Sequence, residues 1–287
     1  MSESIGVQPW MSDPATRAVM DALEAAGGPD CARYVGGCVR NTLMGLDIDD
    51  VDIATQLTPG DVIAAIEAAG LRAIPTGVEH GTVTAISNHR PFEITTLRQD
   101  VSTDGRRATV AYTTDWAEDA ERRDFRFNSL YADRAGRVID FTGEGVADAK
   151  AGRVVFVGDA QTRIREDYLR ILRLFRFHAW YGRSEPDAAA VAASAALKSD
   201  LKTLSSERVS KELLKTLASP DPRPSIRLMA ETGVLAEILP EASDLSRFAA
   251  LVEIERGQFW PADAELRLAA LLPDEASASG AARRLRL

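Results

Sequence analysis

The first half of the chain alternates between two hydrophobic periods. Residues 13–26 and 58–70 carry apolar side chains at the spacing of an amphipathic helix, with glycines at their ends. Three short stretches have strand patterns bounded by turn residues: "CARYVGG" (31–37), "HGTVTAIS" (80–87) and "FEITTLR" (92–98). The mixture predicts strands and helices around one sheet within residues 1–147. The polar stretch 102–115 predicts a mobile loop.

After about residue 146 the strand patterns fade and helical spacing continues to the end. Four stretches carry this spacing: 164–182, 205–219, 224–239 and 263–272. Glycine and proline predict breaks at 182–186 and 220–224. The last residues, "AARRLRL" (281–287), have a helical pattern without a C-terminal cap, so we expect the C-terminal part to be incomplete.

Composition and charge narrow the class of protein. The 287 residues are 45% hydrophobic and 27% charged, as in an ordinary globular protein. No apolar run approaches the roughly 20 residues that cross a bilayer, and the acidic N-terminus does not fit a signal peptide. Cys31 and Cys38 make no disulfide framework, so we expect a cytoplasmic protein. A net charge of −9 argues against nucleic-acid binding through the whole surface.

The stretch "DIDDVDIAT" (47–55) places several aspartates around a pattern that predicts a buried strand. On a strand, Asp50 and Asp52 share one face, where two carboxylates about 7 Å apart repel each other unless a cation lies between them. Oxygen ligands favour Mg²⁺, an ion that also binds substrate phosphates. An exposed edge strand that uses aspartates for solubility has the same pattern.

The segment before these aspartates favours the metal interpretation. In "VGGCVRNTLMG" (35–45), Gly36 and Gly37 form a turn that opens a helix. Glycines let the backbone approach a triphosphate, and the helix N-terminus offers free N–H donors to anions. Arg40, one turn into the helix, adds a bidentate phosphate contact. Together with the aspartates this sequence predicts a metal–triphosphate site.

Four motifs resemble one family. "GGCVRNTLMGLDIDDVDIAT" (36–55) is similar to the first signature of the class II CCA-adding tRNA nucleotidyltransferases and bacterial poly(A) polymerases, in the polymerase-β-like superfamily. The other three follow in the family's order, and they resemble its second signature, its nucleotide-selecting helix and its neck-helix motif: "RRDFRFNSLYAD" (122–133), "GDAQTRIREDYLRILRLFRF" (158–177) and "LSSERVSKELLKTL" (204–217).

The resemblance implies an α+β fold in three parts. Residues 1–147 would form a catalytic nucleotidyltransferase head with a mixed sheet. Residues 148–220 would form an α-helical neck that selects the nucleotide, and residues 221–287 an incomplete helical body. The implied activity is template-independent addition of CMP and AMP, from CTP and ATP, to the 3′ end of tRNA.

The resemblance also assigns catalytic residues in the head. Asp50 and Asp52 would hold two Mg²⁺ ions that activate the RNA 3′-hydroxyl and stabilise the pyrophosphate leaving group. Glu93, on a neighbouring strand, is a candidate third carboxylate; a strand-surface glutamate paired with an arginine is the alternative.

Nucleotide contacts are implied on both sides of these carboxylates in the sequence. Gly36, Gly37 and Arg40 would face the triphosphate, and Arg123 would reach the nucleotide. Asn128, with Asp124, would shape the ribose pocket or hold a structural hydrogen bond.

In the third motif, Asp167, Arg170, Arg173 and Arg176 recur every three residues and predict one polar stripe on a helix. A carboxylate beside a guanidinium matches the amino donor and ring-nitrogen acceptor of cytosine and adenine, whereas uracil and guanine leave both groups unsatisfied. Each mismatch costs about 1–3 kcal/mol, so two suffice for discrimination of roughly 10²–10⁴. Arg173 and Arg176 would stack on the base or bind phosphate. A solvated salt-bridge face, with Glu166 and Asp167 paired to Arg170, is the alternative.

Some positions depart from the family pattern. Asn41 and Ser129 stand where Asp and Ala are frequent, and the loop at 140–150 is altered, which puts the switch from C to A addition in doubt. Poly(A) polymerase or partial C- or A-adding activity shares nearly every residue named above. A non-catalytic RNA-binding protein is a further alternative. No protein partner is inferred.

Overall fold

The computed structural model describes residues 3–103 and 108–287. Its contacts divide the chain into two compact units, with the boundary between Ala151 and Gly152. The first unit contains strands and helices, and the second is helical where the structure describes it. The predicted α+β class, a mixed-sheet head followed by helices, is confirmed. The finer division at 147 and 220 stays a prediction.

The described residues of the first unit contain six α-helices. They are α1 (Pro9–Ser12), α2 (Pro14–Gly27), α3 (Gly37–Met44), α4 (Pro59–Ala68), α5 (Trp116–Glu121) and α6 (Gly145–Ala151). Helix α4 begins where Thr58 accepts a hydrogen bond from the Asp61 N–H, with Pro59 at its first position, as the sequence predicts.

A mixed sheet forms the centre of the first unit. Its strands, in spatial order, are β3 (Arg72–Gly77), β4 (Thr82–Ser87), β5 (Arg90–Thr96), β2 (Ile53–Thr55), β1 (Ala32–Val35), β8 (Leu130–Ala132) and β9 (Val138–Asp140). Strand β2 runs parallel to β5, and the other neighbouring pairs are antiparallel. On one side, Val35, Ala54 and Leu97 form a buried apolar cluster with Trp116 and Tyr131.

Two expectations for this unit are wrong. The predicted strand at "DVDIAT" begins only at Ile53, because its partner β1 ends at Val35 and the chain turns away at Gly36. The predicted loop at 102–115 contains strand β7 (Ala108–Tyr112), which pairs with β6 (Arg98–Thr103) in a two-stranded sheet. Residues 104–107 lie outside the described part of the chain.

In the described residues the second unit contains nine α-helices, which cover the four predicted stretches. Two of these stretches, 164–182 and 224–239, each hold two helices, and the helices Ala188–Leu197 and Ser246–Gly257 lie outside the predicted stretches. The nine helices are α7 (Ala160–Glu166), α8 (Leu169–Tyr181), α9 (Ala188–Leu197), α10 (Ser206–Leu217), α11 (Arg223–Glu231), α12 (Val234–Ile238), α13 (Ser246–Gly257), α14 (Ala264–Ala270) and α15 (Glu275–Leu285). Helix α8 packs against α10 and α11. The fully buried Arg267 pairs with Glu255 and donates to the carbonyls of Leu217 and Ser219, which ties α14 to α13 and to the end of α10.

The last helix ends differently from the sequence pattern. Arg286 follows α15 in the left-handed conformation, at φ +56°, and its N–H donates to the carbonyl of Ala282. The expected absence of a C-terminal cap is therefore wrong.

Both cysteines, Cys31 and Cys38, are buried and unpaired. Every described helix is too short or too polar to cross a lipid bilayer.

Candidate active site

The Gly-Gly turn has a conformation that requires glycine. Gly36 caps α3 with φ +70° and ψ −116°, a pair of backbone angles that residues other than glycine rarely adopt. Its N–H donates to the Leu130 carbonyl at 3.0 Å, which ties the turn between β1 and α3 to the first residue of β8. No side chain caps the N-terminus of α3, which begins at Gly37. The first N–H groups of a helix have no partners within it, so this end of α3 suits an anion.

The acidic segment meets this turn through its backbone. The Asp52 carbonyl accepts a hydrogen bond from the Val35 N–H at 3.0 Å, directly before the glycines. The same carbonyl lies 3.9 Å from the Cys38 thiol in the first turn of α3. Asp52 is therefore held beside the start of α3 although it precedes β2 and lies outside the strand.

Two other carboxylates act on Asp52 at this place. Strand β2 is in parallel register with β5, with Ile53 opposite Ile94, so the residues before them, Asp52 and Glu93, are neighbours. Burial, then the negative charges of Glu93 and Asp50, raise the pKa of Asp52 to about 6. Asp50 and Glu93 are exposed, while Asp52 is half-buried. Within the described ranges, no three acidic, histidine or cysteine side chains are close enough to enclose a metal ion.

The structure places Arg40 in a buried network. Its Nε and Nη2 donate to Oδ1 of Asn41 at 3.0 and 2.7 Å, and its Nη1 donates to Oδ1 of Asn128. The Asn128 amide in turn donates to Asp124 at 3.2 Å. The positive charge of Arg40 still acts on Asp52, because it lowers the pKa of that carboxylate. Asn128 and Asp124 thus have the structural hydrogen bonds of the alternative interpretation, and their contact with ribose stays a prediction.

Two positions that depart from the family pattern, Asn41 and Ser129, have hydrogen-bond partners in the structure. Asn41 supplies the oxygen that accepts from Arg40, a role that an amide oxygen and a carboxylate share. Ser129 is fully buried, and its hydroxyl donates to the Phe125 carbonyl at 3.1 Å. Both substitutions therefore leave no polar group unsatisfied.

Arg123 depends on a residue that the sequence did not single out. Asp119 is completely buried in α5 and accepts hydrogen bonds from Arg122, Arg123 and the Tyr131 hydroxyl. Among the positive charges that lower the pKa of Asp52, the charge of Arg123 has the largest effect. The only sequence signal was the four-residue spacing between Asp119 and Arg123, which is common on helices.

The altered segment at 140–150 forms a capped turn and a helix. Asp140 accepts from the N–H groups of Thr142 and Gly143 at 3.0 Å and from that of Val146 at 3.1 Å. Helix α6 follows, and its buried Asp148 pairs with Arg126.

In the second unit, the predicted single helix is interrupted at Asp167. Helix α7 ends at Glu166, Asp167 has extended backbone angles, and α8 begins at Leu169. Asp167 Oδ1 accepts from the Leu169 N–H at 3.1 Å, and Oδ2 accepts from Arg208 Nη2 at 2.7 Å. The continuous stripe that the sequence predicts is therefore wrong at its first member, because Asp167 lies at the junction of two helices.

The arginines of the stripe do share α8. Arg170 pairs with Glu166 and donates to the Arg163 carbonyl at 2.9 Å. Arg176 pairs with Glu212 of α10 at 2.6 Å, and Arg173 lies 4.0 Å from the same carboxylate.

The pairing differs in part from the salt-bridge alternative. Glu166 pairs with Arg170, as that alternative requires, while Asp167 pairs with Arg208. Arg208 and Glu212 belong to the neck-helix motif, but nothing in their spacing identified their partners.

Comparison with known families covers both units. Residues 32–155 match the family described as "Poly A polymerase head domain". Residues 185–245 match a family described as "Probable RNA and SrmB- binding site of polymerase A".

Curated proteins of known activity are similar over most of the chain. It is 44% identical over 223 residues to "CCA tRNA nucleotidyltransferase 1, mitochondrial" of Mus musculus, an alignment that covers 75% of this chain and 50% of that protein. A "CCA-adding enzyme" of Latilactobacillus sakei is 36% identical over 241 residues, covering 81% of this chain and 58% of that protein. The chain thus spans about half the length of the curated relatives it matches.

Solved structures share the fold. The Bacillus stearothermophilus CCA-adding enzyme in complex with CTP superposes with a TM-score of 0.70 at 28% identity, covering 96% of this chain and 70% of that one. The Thermotoga maritima CCA-adding enzyme complexed with tRNA has a TM-score of 0.75 at 20% identity, and the match covers 98% of this chain and 70% of that one. The second likeness concerns the fold alone.

Proposed function

Because the chain belongs to the family of class II CCA-adding enzymes and poly(A) polymerase head domains, we propose that it adds CMP and AMP, from CTP and ATP, to the 3′ end of tRNA. In this reaction the 3′-oxygen of the RNA forms a bond to the α-phosphorus of the nucleotide. The bond between that phosphorus and the β-phosphate oxygen breaks, pyrophosphate leaves, and the hydroxyl loses its proton. The fold and the site chemistry of the first unit support this assignment.

The carboxylates of Asp50 and Asp52 would hold two Mg²⁺ ions, with Glu93 as the third acidic group. The donor set fits hard divalent cations, since all three side chains offer oxygen atoms and Glu93 and Asp50 disfavour the charged form of Asp52. An ion bound by one or two carboxylates takes its remaining ligands from substrate phosphates and water. Bound Mg²⁺ supplies stabilisation of the leaving pyrophosphate and a more acidic 3′-hydroxyl.

The glycine turn and the arginines would place the triphosphate. Gly36 and Gly37 present the uncapped end of α3, where N–H groups accept a phosphate. The positive charges of Arg40 and Arg123 lower the pKa of Asp52. We infer that they balance the negative charge of carboxylates and triphosphate together, Arg40 from within its buried network.

Within the second unit, Asp167 and Arg170 would read the base edge. The Asp167 carboxylate is held by Leu169 and Arg208, and its oxygens retain capacity to accept from an exocyclic amino group. Arg173 and Arg176 would stack on the base or bind phosphate. The CTP complex of the 28%-identical relative supports a pyrimidine substrate. We further propose that the protein acts in the cytoplasm, since its two cysteines are unpaired and buried.

One observation carries the proposal: the segment with Asp50 and Asp52 lies against a glycine turn and a free helix N-terminus. The test incubates the chain with tRNA transcripts that end before, within and after the CCA sequence, with each of the four nucleotides and Mg²⁺. We expect C addition, then A addition, and no growth beyond the terminal A. Long tails made from ATP alone on any RNA would instead identify a poly(A) polymerase. No transfer together with retained RNA binding would identify a non-catalytic RNA-binding protein.

A further inference from the structure

A single buried carboxylate organises the arginine pair of the second signature. Asp119 is 0% exposed, and each of its two carboxylate oxygens accepts hydrogen bonds from a different arginine. Oδ1 accepts from Arg122 Nε and Nη2 at 2.9 and 2.6 Å, and also from the Arg98 N–H at 3.2 Å. Oδ2 accepts from Arg123 Nε and Nη2 at 3.1 and 2.9 Å. Each arginine thus contacts its own oxygen atom through two nitrogens.

Tyr131 completes this arrangement from the neighbouring sheet. Its hydroxyl donates to Asp119 Oδ2 at 2.7 Å and accepts from Arg123 Nε at 3.1 Å. The ring is buried in the apolar cluster with Trp116, so the hydroxyl is fixed in position. The Arg123 guanidinium therefore has both its Asp119 contact and its tyrosine contact on the same edge, which sets the plane of the group.

Arg123 connects this network to the candidate active site. Tyr131, which holds Arg123, lies opposite Val35 in the register of β8 and β1, and the Val35 N–H donates to the Asp52 carbonyl at 3.0 Å. A guanidinium that is held on one edge by Asp119 and Tyr131 keeps a constant orientation beside this part of the site. Rigid donors of this kind favour developing charge because they need no reorganisation during the reaction.

We propose that Asp119 is the positioning residue of Arg123: it orients the Arg123 guanidinium, together with Tyr131, for contact with the nucleoside triphosphate. This inference rests on the proposed function and extends it to a residue that does not touch substrate.

The charge of Asp119 is part of this role. Burial alone would raise its pKa, but the charges of Arg123 and Arg122 and the tyrosine hydrogen bond outweigh burial and hold the pKa below its ordinary value. Asp119 is thus a carboxylate at neutral pH. An asparagine has one oxygen in place of two, so it cannot accept from both arginines with separate atoms.

The head contains a matched buried pair for comparison. Asp148 of α6 is also 0% exposed and pairs with Arg126 at 2.9 Å. A purely structural buried aspartate would affect stability alone. Asp148→Asn therefore measures what the loss of a buried Asp–Arg pair does to this unit without the proposed positioning effect.

The experiment measures kcat and KM for CTP in Asp119→Asn, Asp148→Asn and Tyr131→Phe, each in the native chain and in an Arg123→Ala background. All assays are run at a temperature where circular dichroism shows each variant folded. Tyr131→Phe keeps the buried ring and removes only the hydroxyl, so it tests the arrangement even if Asp119→Asn does not fold.

We expect Asp119→Asn to lower kcat/KM by roughly 10–100-fold, mainly through KM for CTP with KM for tRNA unchanged, since small displacements of a positioned group have effects of this size. Tyr131→Phe should have a smaller effect in the same direction, and Asp148→Asn should leave KM for CTP unchanged. In the Arg123→Ala background, Asp119→Asn and Tyr131→Phe should have no further effect.

Two results would overturn the inference while the proposed function stands. One is that Asp119→Asn lowers kcat/KM by the same factor in the native chain and in the Arg123→Ala background. The other is that Asp148→Asn raises KM for CTP as much as Asp119→Asn does. If Asp119→Asn does not fold, unchanged KM in Tyr131→Phe has the same meaning. A native chain that transfers no nucleotide would refute the proposed function and the positioning role with it.

Discussion

Arg208 of α10 donates a hydrogen bond of 2.7 Å to Asp167, at the junction between α7 and α8. The pair is partly exposed, with 40% and 32% of the two side chains accessible. The neck-helix motif thus contacts the carboxylate of the nucleotide-selecting motif that lies between α7 and α8. Asp167 has a defined orientation before any nucleotide binds, because Leu169 holds its other oxygen.

Replacing Asp167 by alanine should relax the choice of base. The variant loses the acceptor for the amino group of cytosine and adenine, while uracil and guanine lose their mismatch. We expect discrimination of roughly 10²–10⁴ to fall to about 10-fold or less, with weaker CTP and ATP binding. The measurement is kcat/KM for each of the four nucleotides on the same tRNA transcript. Unchanged selectivity would exclude Asp167 from base recognition.

Arg208→Ala should have a milder effect of the same kind. A partly exposed ion pair contributes about 0–1 kcal/mol to stability, so thermal unfolding should change little. Asp167 then keeps only its backbone hydrogen bond and becomes less well oriented, and the preference for CTP over UTP should fall several-fold. Lys211→Ala, on the same helix, is the control. If Arg208→Ala prefers CTP over UTP as strongly as the native chain does, Arg208 does not contribute to the choice of base.

Gly36 and Gly45 offer a matched pair for the glycine turn. Both have positive φ, at +70° and +67°, and a Cβ at either position meets no atom closer than 3.6 Å. Alanine should therefore destabilise by backbone strain, about 1–3 kcal/mol at Gly36 and about 1–2 kcal/mol at Gly45. Only Gly36→Ala should also raise KM for CTP, because Gly36 caps the end of α3 that we propose to hold the triphosphate, while Gly45 follows its far end. Equal KM values for CTP in Gly36→Ala and Gly45→Ala would show that the Gly36 turn does not take part in nucleotide binding.

His178 predicts a pH dependence of stability in the second unit. Burial lowers its pKa, a shift that Glu185 only partly offsets, and its Nδ1 lies 2.8 Å from the Ser225 hydroxyl. The unfolded chain, with an ordinary value of about 6.5, then binds more protons than the folded one below that pH. Stability should decrease as the pH falls below about 6.5, until the folded-state pKa is reached.

The measurement for His178 is the urea midpoint of the native chain and of His178→Gln between pH 7.5 and 5. The native chain should lose more stability over this range than the variant. Parallel curves would show that His178 does not contribute to the pH dependence.

Sequence alone was sufficient where a local rule acts. Thr58 and Pro59 mark the start of α4, and Gly36 marks the turn that opens α3, because capping and positive φ depend on a few neighbouring residues. The order of motifs located the carboxylates and arginines in the two units. These features need no knowledge of distant contacts.

Tertiary contacts decided the rest. Apolar spacing continues across Asp167, so periodicity gave no sign of the break between α7 and α8. The role that we propose for Asp119 depends on Tyr131, which strand β8 brings beside α5. The strand expected at Asp50–Asp52 is absent because its partner turns away at Gly36. Each of these outcomes depends on which elements meet.

The central claim is that the Asp52 carboxylate takes part in nucleotide transfer. The most direct measurement compares the native chain, Asp52→Asn and Asp49→Asn for transfer of CMP from CTP to a tRNA transcript that lacks CCA, in the presence of Mg²⁺. Asp49 is exposed in the same acidic segment and has no assigned role. We expect Asp52→Asn to transfer nothing detectable and to unfold at the native temperature or above, since the substitution removes repulsion from Glu93 and Asp50. Asp49→Asn should transfer at the native rate. Transfer by Asp52→Asn at the rate of the native chain would contradict the account.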